Sequence, residues 1–441
     1  MDARWSWVSA ARVSRIELRR SSALTAGAAV AVLGVAGVWL PATTGQADLW
    51  DVQWAALAVY QRILLAVLWP LALGAGAWLA LRDRRSHTDE LFGTTARPVR
   101  QRLLPTAAAL AIWLVVAYLV IFAAGAVRVA GHAVWLDAGW LAIVGVGALA
   151  LVAAGWIGLA VGRLVRSNFT PPALVLLGAV ALIAASTPPP ESPIPGAALL
   201  PQLEPVDEFH TVAGAVTLGQ AVWFAALAVT GLLVCTSVHR WTRVAAVLPV
   251  VVGVAVAVPL VDTATYVRDP AALAEVCSHD VCVTKAHERL LPSFVGPART
   301  ALALLAKLPD PPTSVHEVTD DVRGSQPADT VWFDSANLRP GGTWSGTADE
   351  LVVRILAGAG TRPCHGYDDY RARAVAADWL YGSVDAPGPQ LTTAERSARR
   401  ALWNALRSLP PAGQVARIAA LRTAARTCHG NLLSILTGGV S

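Results

Sequence analysis

Long apolar runs separated by short, arginine-rich polar segments fill the first 261 positions, and charges return in quantity only after Asp262. A helix that crosses a bilayer needs about 20 predominantly apolar residues. Runs that reach or approach that length cover residues 23–40, 54–81, 107–127, 136–164, 173–187, 216–238 and 244–261. The fifth is the shortest and follows Pro171 and Pro172, a residue type that suits the first turn of a helix. The pattern predicts about seven spans, with six as the alternative.

The segment before the first run has its own pattern. In a helix over residues 3–20, Arg12, Arg15 and Arg19 share one face beside Trp5, Val13 and Ile16, which suits a helix lying in the membrane interface. Arginines ahead of an apolar run also mark secretory signals. This run is long for one, however, and ends in Trp39-Leu40-Pro41 without a small-residue cleavage site, so it is expected to be retained.

Beyond residue 262 the periodicity changes. Residues 281–284, 315–319 and 330–333 have strand character, whereas 286–307, 348–357, 367–381, 393–409 and 414–428 have helical length and period. The predicted fold class is therefore membrane α-helical. It comprises a cytoplasmic interfacial helix over 1–20, a transmembrane domain over 21–261, and a mixed, mainly helical extracytoplasmic domain over 262–441.

Charge sets the orientation. Arg82, Arg84, Arg85, Arg97, Arg100, Arg102, Arg163, Arg166, Arg240 and Arg243 fall in alternate loops on the side of the N-terminal arginines. The opposite loops carry Arg128 and a set of carboxylates, Asp48, Asp51, Asp137, Glu191, Glu204, Asp207 and Glu208. The positive-inside rule then predicts a multi-pass plasma-membrane protein with its N-terminus in the cytoplasm. Trp39, Trp54 and Trp135 fall at predicted outer ends, and Trp78 and Trp241 at inner ones, as amphipathic rings prefer.

Composition agrees: of 441 residues, 55% are hydrophobic and 15% charged, with mean hydropathy +0.50. The net charge of +5 comes mainly from arginine in short loops, so it reads as topology and no nucleic-acid partner is expected.

Cys235 lies inside a span, while Cys277, Cys282, Cys364 and Cys428 form an even set in the C-terminal region. In an oxidising compartment that set predicts two disulfides, most simply Cys277–Cys282 and Cys364–Cys428, although four cysteines allow three connectivities.

Little catalytic chemistry is legible. No Walker-type phosphate loop occurs, and His287-Glu288 and His316-Glu317 lack the second histidine of a helical zinc peptidase. Cys277, His279, Cys282 and His287 have a spacing that could surround a metal, but disulfides take precedence in an oxidising compartment. No enzyme activity, cofactor or metal is expected of this chain. Within the spans Arg62 is the clear ionisable exception, either a functional charge or a side chain snorkelling to the nearby interface.

After the second span the chain reads Arg84-Arg85-Ser86-His87-Thr88-Asp89-Glu90-Leu91-Phe92-Gly93, then Thr94-Thr95-Ala96-Arg97-Pro98-Val99-Arg100. Ser86 and Asp89 form a capping-box-like start and Gly93 a plausible stop, which predicts a short surface helix. Together with Arg15-Ile16-Glu17-Leu18-Arg19-Arg20 and the first two spans, this resembles the membrane subunit of ABC-2 type transporters, over roughly residues 1–243.

The resemblance implies a coupling helix after the second span, with Asp89, Glu90, Leu91 and Arg97 touching a separate cytoplasmic ATP-binding subunit. It also implies pairing with a second permease, identical or not, in the lipid membrane. A seventh span and an external domain are additions to that family's basic plan. The composition, rich in Ala, Val, Arg and Trp with one Met, resembles that of actinobacterial membrane proteins. The function implied is a permease-like subunit. The alternative is a membrane-anchored extracytoplasmic binding or sensor protein without transport activity.

Overall fold

The structure is a computed structural model that describes residues 15–19, 22–43, 50–51, 53–82, 99–133, 138–165, 167–186, 197–205, 207–237, 239–261, 264–318, 326–334, 344–364, 370–388 and 392–438. The chain divides into two compact units, Met1–Arg268 and Asp269–Ser441.

The first unit is helical. Its elements are α1 (Ser22–Thr43), α2 (Trp54–Ile63), α3 (Leu65–Ala80), α4 (Val99–His132), α5 (Gly139–Leu164), α6 (Thr170–Ser186), α7 (Gly214–Thr236), α8 (Arg240–Ala245) and α9 (Leu248–Val261). Five stretches are long and apolar enough to cross a membrane: Ser22–Leu40, Gln101–Gly131, Gly139–Leu164, Gly214–Thr236 and Arg240–Val261. These apolar helices mark the chain as a membrane protein.

The run expected as one span over 54–81 is instead two helices, α2 and α3, bent by 54° at Leu64; counted as one, they bring the number to six. Pro70 lies inside α3, six residues beyond the bend. The apolar α6 has 17 residues, shorter than each of those five stretches.

Small residues bring these helices together. A Cβ on Gly158 of α5 would lie 2.0 Å from the Leu73 carbonyl oxygen of α3, and one on Gly76 would lie 2.0 Å from the Gly155 oxygen. The two backbones thus meet directly, the arrangement that holds helices together where lipid removes the hydrophobic drive. α7 also packs against α5, α9 against α7, α6 against α3, and α1 against α4.

Residues 15–19 are helical and fastened to the bundle. Arg82 donates through Nη1 and Nη2 to the two carboxylate oxygens of Glu17, each at 3.1 Å, and Trp113 Nε1 of α4 donates to the Leu18 carbonyl at 3.0 Å. Near the C-terminal end of α4, Arg128 pairs with Asp51 at 3.1 Å and lies 5.9 Å from the ring centroids of Trp39 and Trp50.

The second unit has its own core. Its sheet runs β3 (Glu275–Ser278), β4 (Val281–Thr284), β5 (Ser314–Glu317), β6 (Thr330–Phe333), with an antiparallel β3–β4 hairpin and parallel β4–β5 and β5–β6 pairs. Strands β1 (His210–Val212) and β2 (Tyr266–Arg268) pair separately in the first unit. Val281, Val283, Val315, Val331 and Phe333 pack on Phe294, Ala298, Ala301 and Leu305 of α10 (Leu291–Leu305).

Helices α11 (Ala348–Leu356), α12 (Tyr370–Tyr381), α13 (Thr393–Arg407), α14 (Pro411–Thr427) and α15 (Leu432–Thr437) complete it. At the turn after α11, Gly358 takes φ +61°, and the Arg373 guanidinium occupies the space where a Cβ would stand. That guanidinium donates to the Arg362 carbonyl at 3.2 Å and to the Thr361 carbonyl.

Cys364 and Cys428 are disulfide-bonded, as are Cys277 and Cys282 across the β3–β4 hairpin. Such bonds belong to an oxidising, extracytoplasmic environment.

Candidate functional site

The polar centre of the first unit is built at the bend between α2 and α3. The last turn of α2 carries Gln61 and Arg62, which are 0% and 1% exposed in an otherwise apolar bundle. Arg62 points into the bundle: Nε donates to the Pro201 carbonyl at 2.7 Å, and Nη2 donates to Gln220 Oε1 of α7 at 3.0 Å. Gln220, also 0% exposed, donates through Nε2 to the Ala198 carbonyl at 2.6 Å.

The segment over 197–205 is therefore clamped between α2 and α7 by its own backbone carbonyls. Tyr266 adds a further hold, its hydroxyl accepting from Glu204 N at 2.8 Å and donating to Glu204 O at 3.0 Å. Pro201 contributes only a carbonyl, so the bend, the buried glutamine and the guanidinium supply all the donors at this point.

A second polar chain runs from the same turn. Gln61 Nε2 donates to the Tyr118 carbonyl of α4 at 2.6 Å. The buried Tyr118 hydroxyl lies over Gly147 of α5, where a Cβ would stand 2.1 Å from the hydroxyl oxygen and 2.9 Å from Arg62 Cδ. The hydroxyl and Gln61 Oε1 have no hydrogen-bond partner among the described residues.

Electrostatically the site is unbalanced. Arginine keeps its proton at neutral pH, and removing such a cation from water costs several kcal/mol even after relaxation. Among the described residues no carboxylate pairs with Arg62; only amide and carbonyl dipoles stabilise it. An arrangement of this kind can attract an anionic group, or change its contacts when a neighbouring helix moves.

Arg62 is 1% exposed, with its donors directed to Pro201 and Gln220 inside the bundle. Gln61 and Gln220 escaped notice in the sequence because amides carry no charge; two buried glutamines within long apolar runs were the available signal. Asp89, Glu90, Leu91 and Arg97 lie outside the described residues.

In the second unit, His287 is fully buried and bonded through Nδ1 to Glu317, whose other carboxylate oxygen accepts from Thr284 N at 2.7 Å and Thr284 Oγ1 at 2.8 Å. His287 thus does not join the cysteines, and His279 sits in the hairpin turn at φ 59°. Among the described residues, Glu275, Cys282 and His316 bring metal-ligating atoms within 4.8 Å of one another.

No protein-family model matches this chain, and neither curated proteins nor solved structures give a match.

Proposed function

We propose that the chain is a permease-like membrane subunit of an ABC-type transporter, coupled to a separate cytoplasmic ATPase. The observation that carries this reading is Arg62: a guanidinium deep in an apolar bundle, at a helix bend, held only by dipoles. A helix bundle that merely anchors a domain gains nothing from such a residue, whereas a pathway or a switching element does.

In this reading seven spans, with α2 and α3 as one and α6 as another, put the N-terminus in the cytoplasm and the C-terminal unit outside. The ATPase presses on residues 83–98, where the family resemblance places Asp89, Glu90, Leu91 and Arg97. Closure of the ATPase changes the balance between two arrangements of the bundle. Arg62 supplies the group whose contacts differ between them, exchanging Pro201 and Gln220 for a passing anionic group or for each other.

The test is purification from native membranes in mild detergent, mass spectrometry of co-purifying chains, and an ATPase assay. The expected result is a co-purifying subunit with a Walker motif. Glu90→Ala should uncouple its hydrolysis, and Arg62→Gln should retain the partner while reducing transport at least tenfold. Absence of any such subunit would overturn the proposal. It would favour the anchored binding or sensor protein, for which the separate core and two disulfides of the second unit speak.

A further inference from the structure

The sheet of the second unit has two unlike faces. One carries Val281, Val283, Val315, Val331 and Phe333 into the core. Side chains directly opposite one another across paired strands share a face. The register pairs Cys277 with Cys282, Cys282 with His316, and His316 with Trp332, so these four lie in one row on the other face. Glu275, two positions before Cys277, projects to that same face.

The ligating atoms of Glu275, Cys282 and His316 fall within 4.8 Å of one another, and His316 Nδ1 is 3.0 Å from Glu275 Oε1. Cys277 is brought to the same place by its bond to Cys282.

We propose that the Cys277–Cys282 disulfide masks a metal site, and that its reduction opens a position for a zinc-class divalent ion held by Cys277, Cys282, His316 and Glu275. Two thiolates, an imidazole and a carboxylate are a zinc-competent set, and four ligands complete its tetrahedral preference. In the disulfide neither sulfur is a thiolate, so the oxidised protein lacks half of the set.

The redox step is thiol–disulfide exchange with a reduced dithiol. One dithiol sulfur attacks Cys277 or Cys282 to form a mixed disulfide. The second dithiol sulfur resolves it, leaving the dithiol oxidised by two electrons and both cysteines as thiols. Metal binding then releases the two thiol protons.

The site can survive loss of its covalent link because β3, β4 and β5 remain laddered: Glu275 opposite Thr284 and Val276 opposite Val283 flank the cysteine pair, and Val281 opposite Val315 flanks Cys282–His316. The Glu275 side chain is 54% exposed and His316 24%, so an ion has a route in.

The experiment is a Co²⁺ titration of the full-length protein in detergent, oxidised and after anaerobic reduction with a phosphine, followed by displacement with Zn²⁺. The expected result is thiolate-to-cobalt charge-transfer absorption in the reduced protein only, removed by zinc. His316→Ala and the surface variant Glu275→Gln should each weaken the affinity at least tenfold while the protein remains monodisperse. A reduced protein that gives no thiolate–cobalt absorption would overturn the proposal. Absorption unchanged in both variants would also overturn it, since the thiolates of Cys364, Cys428 or Cys235 would then be the ligands.

Discussion

Arg62 and Glu395 are charged residues in opposite situations. Arg62 was conspicuous in the sequence as a charge within an apolar run; its role as a clamp on 197–205 was not, because the partners are a glutamine 158 positions away and the backbone of a proline. The planar guanidinium serves both through one fork, and a compact ammonium cannot reproduce that geometry. On the permease reading proposed above, Arg62→Lys should therefore keep the buried charge yet reduce transport at least several-fold in reconstituted vesicles.

Glu395 is exposed and anchors the start of α13. The Thr392 hydroxyl and then the Thr392 N–H donate to its carboxylate, holding the carboxyl below its ordinary value of 4.5. Because the depressed value belongs to the folded state, the stabilisation is complete above the ordinary value and is lost as pH falls through the depressed one. Hydrogen exchange at the first turn of α13 should accelerate, relative to the rest of the helix, over that acidic interval. Glu395→Gln should remove the pH dependence.

At the scale of elements, the type of each long helix was legible, because lipid demands apolar runs of fixed length. The bend at Leu64 was not read, because the run over 54–81 stays apolar on both sides of it. The 275–278 strand was missed because Glu275 and the cysteine disguise its alternation, and a short strand gains its definition from its neighbour.

The contact of α3 with α5 rests on absent side chains. Gly158→Val should clash with the Leu73 carbonyl and cost about 1–3 kcal/mol or more. It should reduce the monodisperse fraction in detergent chromatography, whereas Gly145→Val, which meets nothing within 4 Å, should leave it unchanged.

In the second unit, Thr347 caps α11, accepting from Glu350 N at 3.2 Å while Glu350 accepts from Thr347 N at 3.0 Å. Thr347→Ala should lower stability by about 1 kcal/mol in chemical denaturation of this unit.

For the whole molecule, the apolar runs give way to mixed periodicity near residue 262, and the structure has two compact units that meet at Arg268 and Asp269. The disulfide between Cys364 and Cys428 spans a sequence separation of 64, so most of its effect falls on the unfolded chain. Replacing both with serine should cost about 4 kcal/mol on the chain-entropy account, read as a lowered melting transition of the second unit.

In the first unit, the ties from Glu17 to Arg82 and from Leu18 to Trp113 fasten one short helix to the residues just after α3 and to the middle of α4. The short helix is thus a brace between two elements: a displacement of one relative to the other is resisted by a two-pronged ion pair at one anchorage and an indole hydrogen bond at the other.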